Sequence, residues 1–435
     1  MPAAEPGEGP DPAALFDRWK GEGTLALAVS GGADSLALML LAARWRAELA
    51  DGPRLVVFSV DHGLRPEAAG EVAMVGAAAA RLGLAFRPLK ATGFAPSADI
   101  EAAARTMRYR LLFEAARAEG AGVIMTAHHA DDQAETLLLR LARGSGVYGL
   151  AAMAAESERD GLRLARPLLL MRRADLVRIV ADAGLSPAAD PHNADRRFAR
   201  ARLRSLMPAL ATEGLDTPTL AATAARLRRA AAAIDDYADR VLRAATVDAT
   251  GALRLDAGLY AREPEETRLR VLARILRAVG GADYTPRLDS LMPLAALLTE
   301  GEGPVPARTL AGVAIDRRKG QLRFQREAGR TGLPEIGVSG GYAGLWDGRF
   351  RVEISPAEAP LRLGALGEAG RRALAACLPD GLPRAIAATP ALFRGETLIA
   401  APPLGLAAGP EHGVTLSIEV IVADRLAERI PAEAS

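Results

Sequence analysis

The sequence predicts an α/β protein: an N-terminal doubly wound parallel sheet, followed by a helical domain and a small mixed α+β C-terminal domain. Short apolar runs at residues 24–30, 55–60, 85–89 and 123–127 alternate with segments of helical length. Apolar runs without a polar face suit strands that are buried on both sides. Strands that alternate with helices favour a parallel sheet with helices on both faces.

Helical segments follow these runs at residues 36–49, 67–82, 100–119 and 132–143. After about residue 208 the pattern changes to long helical stretches rich in Ala and Arg, with a β-like stretch at their end. The interval 328–346 carries many glycines, which is typical of a linker. We therefore predict three domains: a catalytic domain at 14–208, a mainly helical domain at 215–327 and a small domain at 347–435.

Composition limits the classes of function. The chain has 435 residues, of which 50% are hydrophobic and 25% charged, with a net charge of +1. Nucleic-acid binding would therefore depend on local basic patches rather than on a global field. The single cysteine, Cys377, excludes an intrachain disulfide and a cysteine-ligated iron–sulfur cluster. Neither a signal peptide nor a stretch able to span a bilayer is recognisable, so we expect a cytoplasmic protein with no membrane partner.

A glycine turn follows the first strand and is typical of a phosphate-binding loop. We call it the phosphate loop; it comprises Ser30, Gly31, Gly32, Ala33, Asp34 and Ser35. The glycines permit close backbone approach, and the N–H groups of the following helix favour an anion. A carboxylate beside phosphate requires a cation between them, so Asp34 predicts bound Mg²⁺. The alternative is an ordinary turn in which Asp34 caps the helix.

A second polar cluster follows the strand at 123–127, and it should face the same cleft. It contains His128, His129, Asp131, Asp132 and Glu135. Asp132 and Glu135 are three residues apart and share one helix face. Three interpretations remain: a solvated helix start capped by Asp131, a metal site, or a cleft in which carboxylates bind a cationic amine and histidines contact nucleotide. The phosphate loop favours the third.

These residues carry a resemblance to a known family. The phosphate loop resembles the SGGxDS loop of the PP-loop ATPases, which split ATP into AMP and pyrophosphate. Within that superfamily the chain is most similar to the tRNA(Ile)-lysidine synthetase family. The similarity covers roughly the first half of the chain, in DHGLR at 61–65, EAAARTMRY at 101–109, TAHHADDQAETLLLRLARGSGVYGL at 126–150, RPLL at 166–169 and DPHNADRRFARARLR at 190–204.

The resemblance implies an adenine nucleotide alpha hydrolase-like fold and a two-step reaction. ATP first adenylates the C2 oxygen of the wobble cytidine of tRNA(Ile) with a CAU anticodon, releasing pyrophosphate. The amine of free L-lysine then attacks C2 and releases AMP, giving lysidine. ATP and Mg²⁺ are the implied cofactors, tRNA(Ile) and lysine the partners, and a monomer or a homodimer the assembly.

The resemblance also implies site residues. ATP binding is expected from the phosphate loop, His62 and His128. Catalytic roles are expected from Asp34, Arg105 and Asp131, and lysine binding from Asp132 and Glu135. For tRNA binding we expect a basic patch of Arg196, Arg197, Arg200 and Arg204. A surface arginine is the alternative for Arg105, and a solvated, salt-bridged helix face is the alternative for the patch.

Two other functions compete. A cytidine 2-thiolation enzyme shares the loop, but such enzymes use paired cysteines, and Cys377 is alone. A non-catalytic nucleotide-binding module is disfavoured because Asp34, Asp132 and Glu135 occur together.

Overall fold

The computed structural model describes residues 10–61, 63, 67–91, 100–159, 161–188, 199–301, 303–329, 332–357, 360–375, 384–409 and 412–430. The chain forms two compact units, one up to Arg228 and the other comprising Arg229–Ile430. The boundary between the units falls within one long helix, and the three predicted domains remain a prediction.

The first unit is built on a six-stranded sheet with the order β3-β2-β1-β4-β6-β5. Its strands are β1 (Thr24–Ala28), β2 (Arg54–Asp61), β3 (Ala85–Lys90), β4 (Val123–Met125), β5 (Glu156–Arg159) and β6 (Leu162–Ala165). All neighbours are parallel except the β5–β6 hairpin. The chain winds outwards from β1 to β3 and then resumes on the other side at β4. This places a topological switch point between β1 and β4, where open α/β sheets bind ligands.

Helices cover both faces of this sheet. The helices of this unit are α1 (Pro12–Phe16), α2 (Ala33–Glu48), α3 (Ala68–Arg81), α4 (Ile100–Ala118), α5 (Ala130–Leu141), α6 (Val147–Leu150), α7 (Arg173–Asp182), α8 (Ala199–Thr212) and the first part of α9 (Thr217–Leu242). Successive strand residues point to opposite faces. Leu25 and Leu27 therefore join a core with α2 and α7, while Ala26 joins a second core with Phe113 of α4. The predicted doubly wound architecture is confirmed.

The described residues of the second unit form three antiparallel sheets. A five-stranded sheet has the order β7-β8-β11-β10-β9, with β7 (Thr246–Val247), β8 (Leu253–Asp256), β9 (Val305–Leu310), β10 (Val313–Arg318) and β11 (Gln321–Arg326). A four-stranded sheet has the order β12-β15-β16-β17, with β12 (Ile336–Val338), β15 (Leu361–Ala365), β16 (Pro390–Arg394) and β17 (Thr397–Ala400). A three-stranded sheet consists of β13 (Tyr342–Trp346), β14 (Phe350–Ile354) and β18 (Leu416–Val420). Strands β12 and β13 occupy much of the interval predicted as a linker.

Several helices accompany these sheets in the second unit. They are α10 (Ala257–Arg262), α11 (Glu265–Gly280), α12 (Leu288–Thr299), α13 (Gly367–Ala375) and α14 (Val422–Ala427). Helix α11 is buried along nearly its whole length, and its buried arginines need partners. Arg270 Nε lies 2.6 Å from Asp235 Oδ1, and Arg274 pairs with Asp239. Among the helices that the structure describes, none is long and apolar enough to cross a membrane.

Candidate active site

The phosphate loop forms a tight turn at the carboxyl end of β1. Gly31 has a φ of +90°, a conformation that L side chains rarely adopt. Ser35 Oγ accepts a hydrogen bond from the Ser30 N–H at 3.1 Å and donates one to the Gly32 carbonyl at 2.9 Å. Gly32 is the N-cap of α2, and no side chain of the described residues caps this helix. The helix start can therefore receive an anion, and Asp34 is not the cap.

Asp34 lies in the first turn of α2 between the side chains of His129 and Arg173. Its Oδ2 is 3.6 Å from His129 Nε2, and its Oδ1 is 3.6 Å from Arg173 Nε. Burial works to raise the pKa of Asp34, but the His129 hydrogen bond and the charges of His129 and Arg173 outweigh it and lower the pKa. The buried Oδ1 accepts no hydrogen bond within the described part of the chain. An ionised carboxylate with such an oxygen suits a hard cation.

His129 connects the phosphate loop to the start of α5. It is the N-cap of that helix and forms a capping box with Asp132. The Asp132 N–H lies 3.4 Å from His129 Nδ1, and the His129 N–H donates to Asp132 Oδ2 at 3.1 Å. Burial lowers the pKa of His129, but Asp34, Asp132 and Asp131 outweigh it and raise the pKa. The helix is therefore capped by His129, which corrects the interpretation in which Asp131 is the cap.

Asp131 holds neighbouring elements against α5. Its Oδ2 accepts a hydrogen bond from the Arg173 N–H at 2.8 Å, and its Oδ1 accepts one from Thr217 Oγ1 at 3.1 Å. These contacts fix the starts of α7 and α9. The catalytic role expected for Asp131 remains a prediction. Its observed contacts are structural, because they hold α7 and α9 against α5.

Asp132 and Glu135 lie side by side on α5, and we call this pair the acidic recess. Both are buried, with relative exposures of 9% and 2%. Arg204 of α8 pairs with Glu135, and its Nη2 lies 3.9 Å from Asp132 Oδ1. Burial raises the pKa of Glu135 more than Arg204 lowers it. The structure thus brings together two predicted lysine ligands, and it places on them an arginine that was predicted to bind tRNA.

His128 directly precedes His129, the N-cap of α5, and lies in an electropositive environment. Burial, followed by the charges of Arg166, Arg105 and Arg200, lowers its pKa to about 3. Its Nδ1 is 2.9 Å from Thr126 Oγ1. Three guanidinium groups around a neutral imidazole favour an anion. His128 and His129 therefore face opposite electrostatic environments.

Arg105 and Arg166 differ in how firmly they are held. The Arg105 guanidinium is exposed and lies 5.2 Å from the Tyr109 ring centroid. Arg166 is 2% exposed and donates from Nη1 to the Ala154 carbonyl at 2.9 Å. Arg105 is thus the more accessible of the two to a ligand.

Several expectations cannot be compared with the structure. His62, Arg196 and Arg197 lie outside the described residues. Within the described ranges, no group of three or more His, Cys, Asp or Glu side chains is arranged to hold a metal ion. Sequence reasoning missed Arg173, although two adjacent arginines at the start of a helix, shortly after the RPLL run, were a usable signal.

The chain is similar to members of a known protein family. A family model described as a PP-loop domain matches residues 12–210. A relative from Bradyrhizobium diazoefficiens named tRNA(Ile)-lysidine synthase is 46% identical over 330 residues, which cover 71% of this chain and 91% of the relative. A relative of the same name from Ruegeria pomeroyi is 39% identical over 389 residues, covering 88% and 90%. Among solved structures, a U34-tRNA thiolase from Methanococcus maripaludis matches with a TM-score of 0.43 and 15% identity, covering 50% of this chain and 77% of that chain.

Proposed function

The chain belongs to the tRNA(Ile)-lysidine synthase family, and we propose that it uses ATP to ligate L-lysine to C2 of the wobble cytidine of tRNA(Ile). The observation that carries this proposal is the meeting of the phosphate loop with the acidic recess at the switch point between β1 and β4. One part suits a triphosphate, and the other suits an amine.

The proposed reaction has two steps. The C2 oxygen of cytidine attacks the α-phosphate of ATP, the bond between the α- and β-phosphates breaks, and pyrophosphate leaves. The lysine ε-amine then attacks C2, the bond from C2 to the adenylate oxygen breaks, and AMP leaves. The amine loses protons as the carbon–nitrogen bond forms.

The phosphate loop would hold the triphosphate of ATP. The start of α2 offers N–H groups that no side chain of the described residues caps. Gly32 leaves space there, because among these residues a Cβ would meet only Ser30 Oγ, at 3.9 Å. Asp34 would hold Mg²⁺ through Oδ1, since this buried oxygen accepts no hydrogen bond in the described part of the chain. A bound Mg²⁺ would offset negative charge on the departing pyrophosphate. One carboxylate is enough, because Mg²⁺ in such sites takes its other ligands from phosphate and water.

The acidic recess would bind the α-amino group of free lysine. Asp132 and Glu135 provide carboxylates in a buried setting, where an ion pair is stronger than in water. Asp132 is held by the His129 N–H, so one of its oxygens is fixed in direction. The ε-amine would then remain available to reach the adenylated base.

The tRNA would be held near the cleft by exposed arginines. Arg200 of α8 is exposed, and its charge acts on His128 inside the cleft. Arg105 is exposed and acts on the same histidine, so either guanidinium can meet a phosphate of the bound nucleotides. The basic patch as a whole, and a homodimeric assembly, remain predictions.

The direct test is a reconstitution. The protein is incubated with ATP, Mg²⁺, radiolabelled lysine and an unmodified tRNA(Ile) transcript, and lysine incorporation and AMP are measured together. We expect one AMP per lysine incorporated and no reaction on a transcript with uridine at the wobble position. AMP release without lysine incorporation would contradict the proposal.

A further inference from the structure

We propose that the guanidinium group of Arg204 occupies the acidic recess, at the position that an ammonium group of lysine takes when lysine binds. Lysine therefore binds by displacing Arg204. This inference rests on the proposed lysine site. It makes Arg204 a residue that sets lysine affinity, rather than one of the tRNA contacts expected from the sequence.

The recess is already filled by a cation in this structure. The carboxylate of Glu135 is almost completely shielded, with 3% side-chain exposure, so water cannot solvate its charge. Arg204 reaches it with two nitrogens: Nε donates to Oε1, and Nη2 lies 3.4 Å from Oε2. Removing one partner of a buried pair leaves an uncompensated charge, which is strongly destabilising. A lysine ammonium that took the place of Arg204 would keep the charge of Glu135 compensated.

Helix α8, which carries Arg204, is weakly anchored. None of its side chains is fully buried, and Leu206 is 52% exposed. Pro208 lies inside the helix, four residues after Arg204. Because proline has no N–H, the Arg204 carbonyl loses its helical hydrogen bond, and the helix is weakened at the residue that must move. Few buried contacts and a missing hydrogen bond are features of segments that open readily.

The displacement sets the apparent affinity for lysine. When a ligand binds only to a sparsely populated open state, its apparent dissociation constant equals the intrinsic constant divided by the fraction of molecules in that state. Weakening the Arg204–Glu135 pair should therefore tighten lysine binding. A tRNA contact at Arg204 predicts a different pattern, with an increased KM for tRNA and an unchanged KM for lysine.

The experiment compares Arg204→Gln with wild type in initial rates of lysine incorporation at saturating ATP and tRNA. We expect the lysine KM to fall about tenfold, which corresponds to about 1.4 kcal/mol of lost competition. Arg204→Lys keeps a cation on Glu135 but not the two-nitrogen contact, so its lysine KM should lie between the two. The control is Arg178→Gln, which removes an exposed arginine on α7 that pairs with Asp175. Its lysine KM should match wild type.

The outcomes separate this inference from the proposed function. Glu135→Gln should raise the lysine KM; if it does not, the lysine site itself is misplaced. If Glu135→Gln raises the lysine KM while Arg204→Gln leaves it unchanged or raises it, only the displacement is wrong. The double variant should have the lysine KM of Glu135→Gln alone, because Arg204 is proposed to act through that carboxylate. A lysine KM in the double variant that lies below that of Glu135→Gln would show that Arg204 does not act through Glu135.

Discussion

Replacing Gly32 with alanine tests whether the phosphate loop holds ATP, because the folded chain has room for the added methyl group. Gly32 has φ −70° and ψ 159°, which any residue adopts, and a Cβ would meet only Ser30 Oγ at 3.9 Å. Replacing a glycine with alanine reduces the conformational entropy of the unfolded chain, which stabilises the folded state by about 0.4–1 kcal/mol. Alanine is a poorer N-cap than glycine, by roughly 0.5–1 kcal/mol. The two effects nearly cancel, so Gly32→Ala should melt within a few degrees of wild type.

ATP binding should respond very differently. If the backbone at this turn approaches the triphosphate closely, the new methyl group occupies ligand space, and the KM for ATP should rise about tenfold or more. Gly31→Ala should lower the melting temperature as well as raise the KM for ATP. Its left-handed φ of +90° costs alanine about 1–2 kcal/mol, and a Cβ there would lie 3.1 Å from Met74 Cε.

The matched control is Gly83→Ala. Gly83 has a φ of +66° and open space around its Cβ position, so it carries the conformational cost alone. Thermal melts and ATP dependence of AMP release are measured for all three variants. We expect Gly83→Ala to lower the melting temperature while leaving the KM for ATP unchanged. The reasoning is refuted if Gly32→Ala binds ATP as wild type does.

Three further predictions follow from the same cleft. Asp34→Asn should slow AMP release by about 100-fold or more, because several kcal/mol of charge stabilisation is lost; wild-type turnover would remove the metal role. NMR of ¹³C-labelled histidine should show His128 neutral at pH 5, since burial and the charges of nearby arginines lower its pKa to about 3. The same spectra should show His129 titrating above the usual histidine pKa of 6.5, because Asp34 and the other nearby carboxylates outweigh its burial. Protonated His129 should therefore add to the free energy of unfolding in full below about pH 6.5, and this contribution should be lost as the pH rises through the pKa of His129 in the folded state. His128 should lower the free energy of unfolding in acid, because its protonation is favoured in the unfolded chain. Two histidine titrations near pH 6.5 would contradict this. Arg200→Gln should raise the KM for tRNA and reduce the slope of log affinity against log salt by about 0.9; an unaltered slope would favour a solvated helix face.

The strands that build the site were predictable because their chemistry is local. The central residues of β1, β2 and β4 are apolar on both faces, as is typical of a parallel sheet covered by helices. The hairpin of β5 and β6 was missed because it lies at the sheet edge and carries charged residues. The glycine-rich interval 328–346 suggested a linker, but pairing with distant strands makes β12 and β13. Strand pairing over long sequence separations leaves little local pattern.

Within the site, the residues were predictable but most of their partners were not. Asp34, Asp132 and Glu135 follow strands that end at the same sheet edge, so their proximity could be expected from topology. Arg173 and Arg204 reach them from later helices, and no spacing in the sequence connects these positions. His128 and His129 are identical in type and adjacent in sequence, yet their pKa values move in opposite directions. Only the three-dimensional arrangement of charge decides this.

The capping box has a practical consequence for altering the amine that this enzyme accepts. Asp132 both shapes the recess and secures the first turn of α5 through His129, which in turn contacts the carboxylate of the phosphate loop. A designer who replaced Asp132 would disturb nucleotide handling and helix folding at once. Glu135 has no part in the cap and is therefore the better position at which to begin, provided that Arg204 is changed with it.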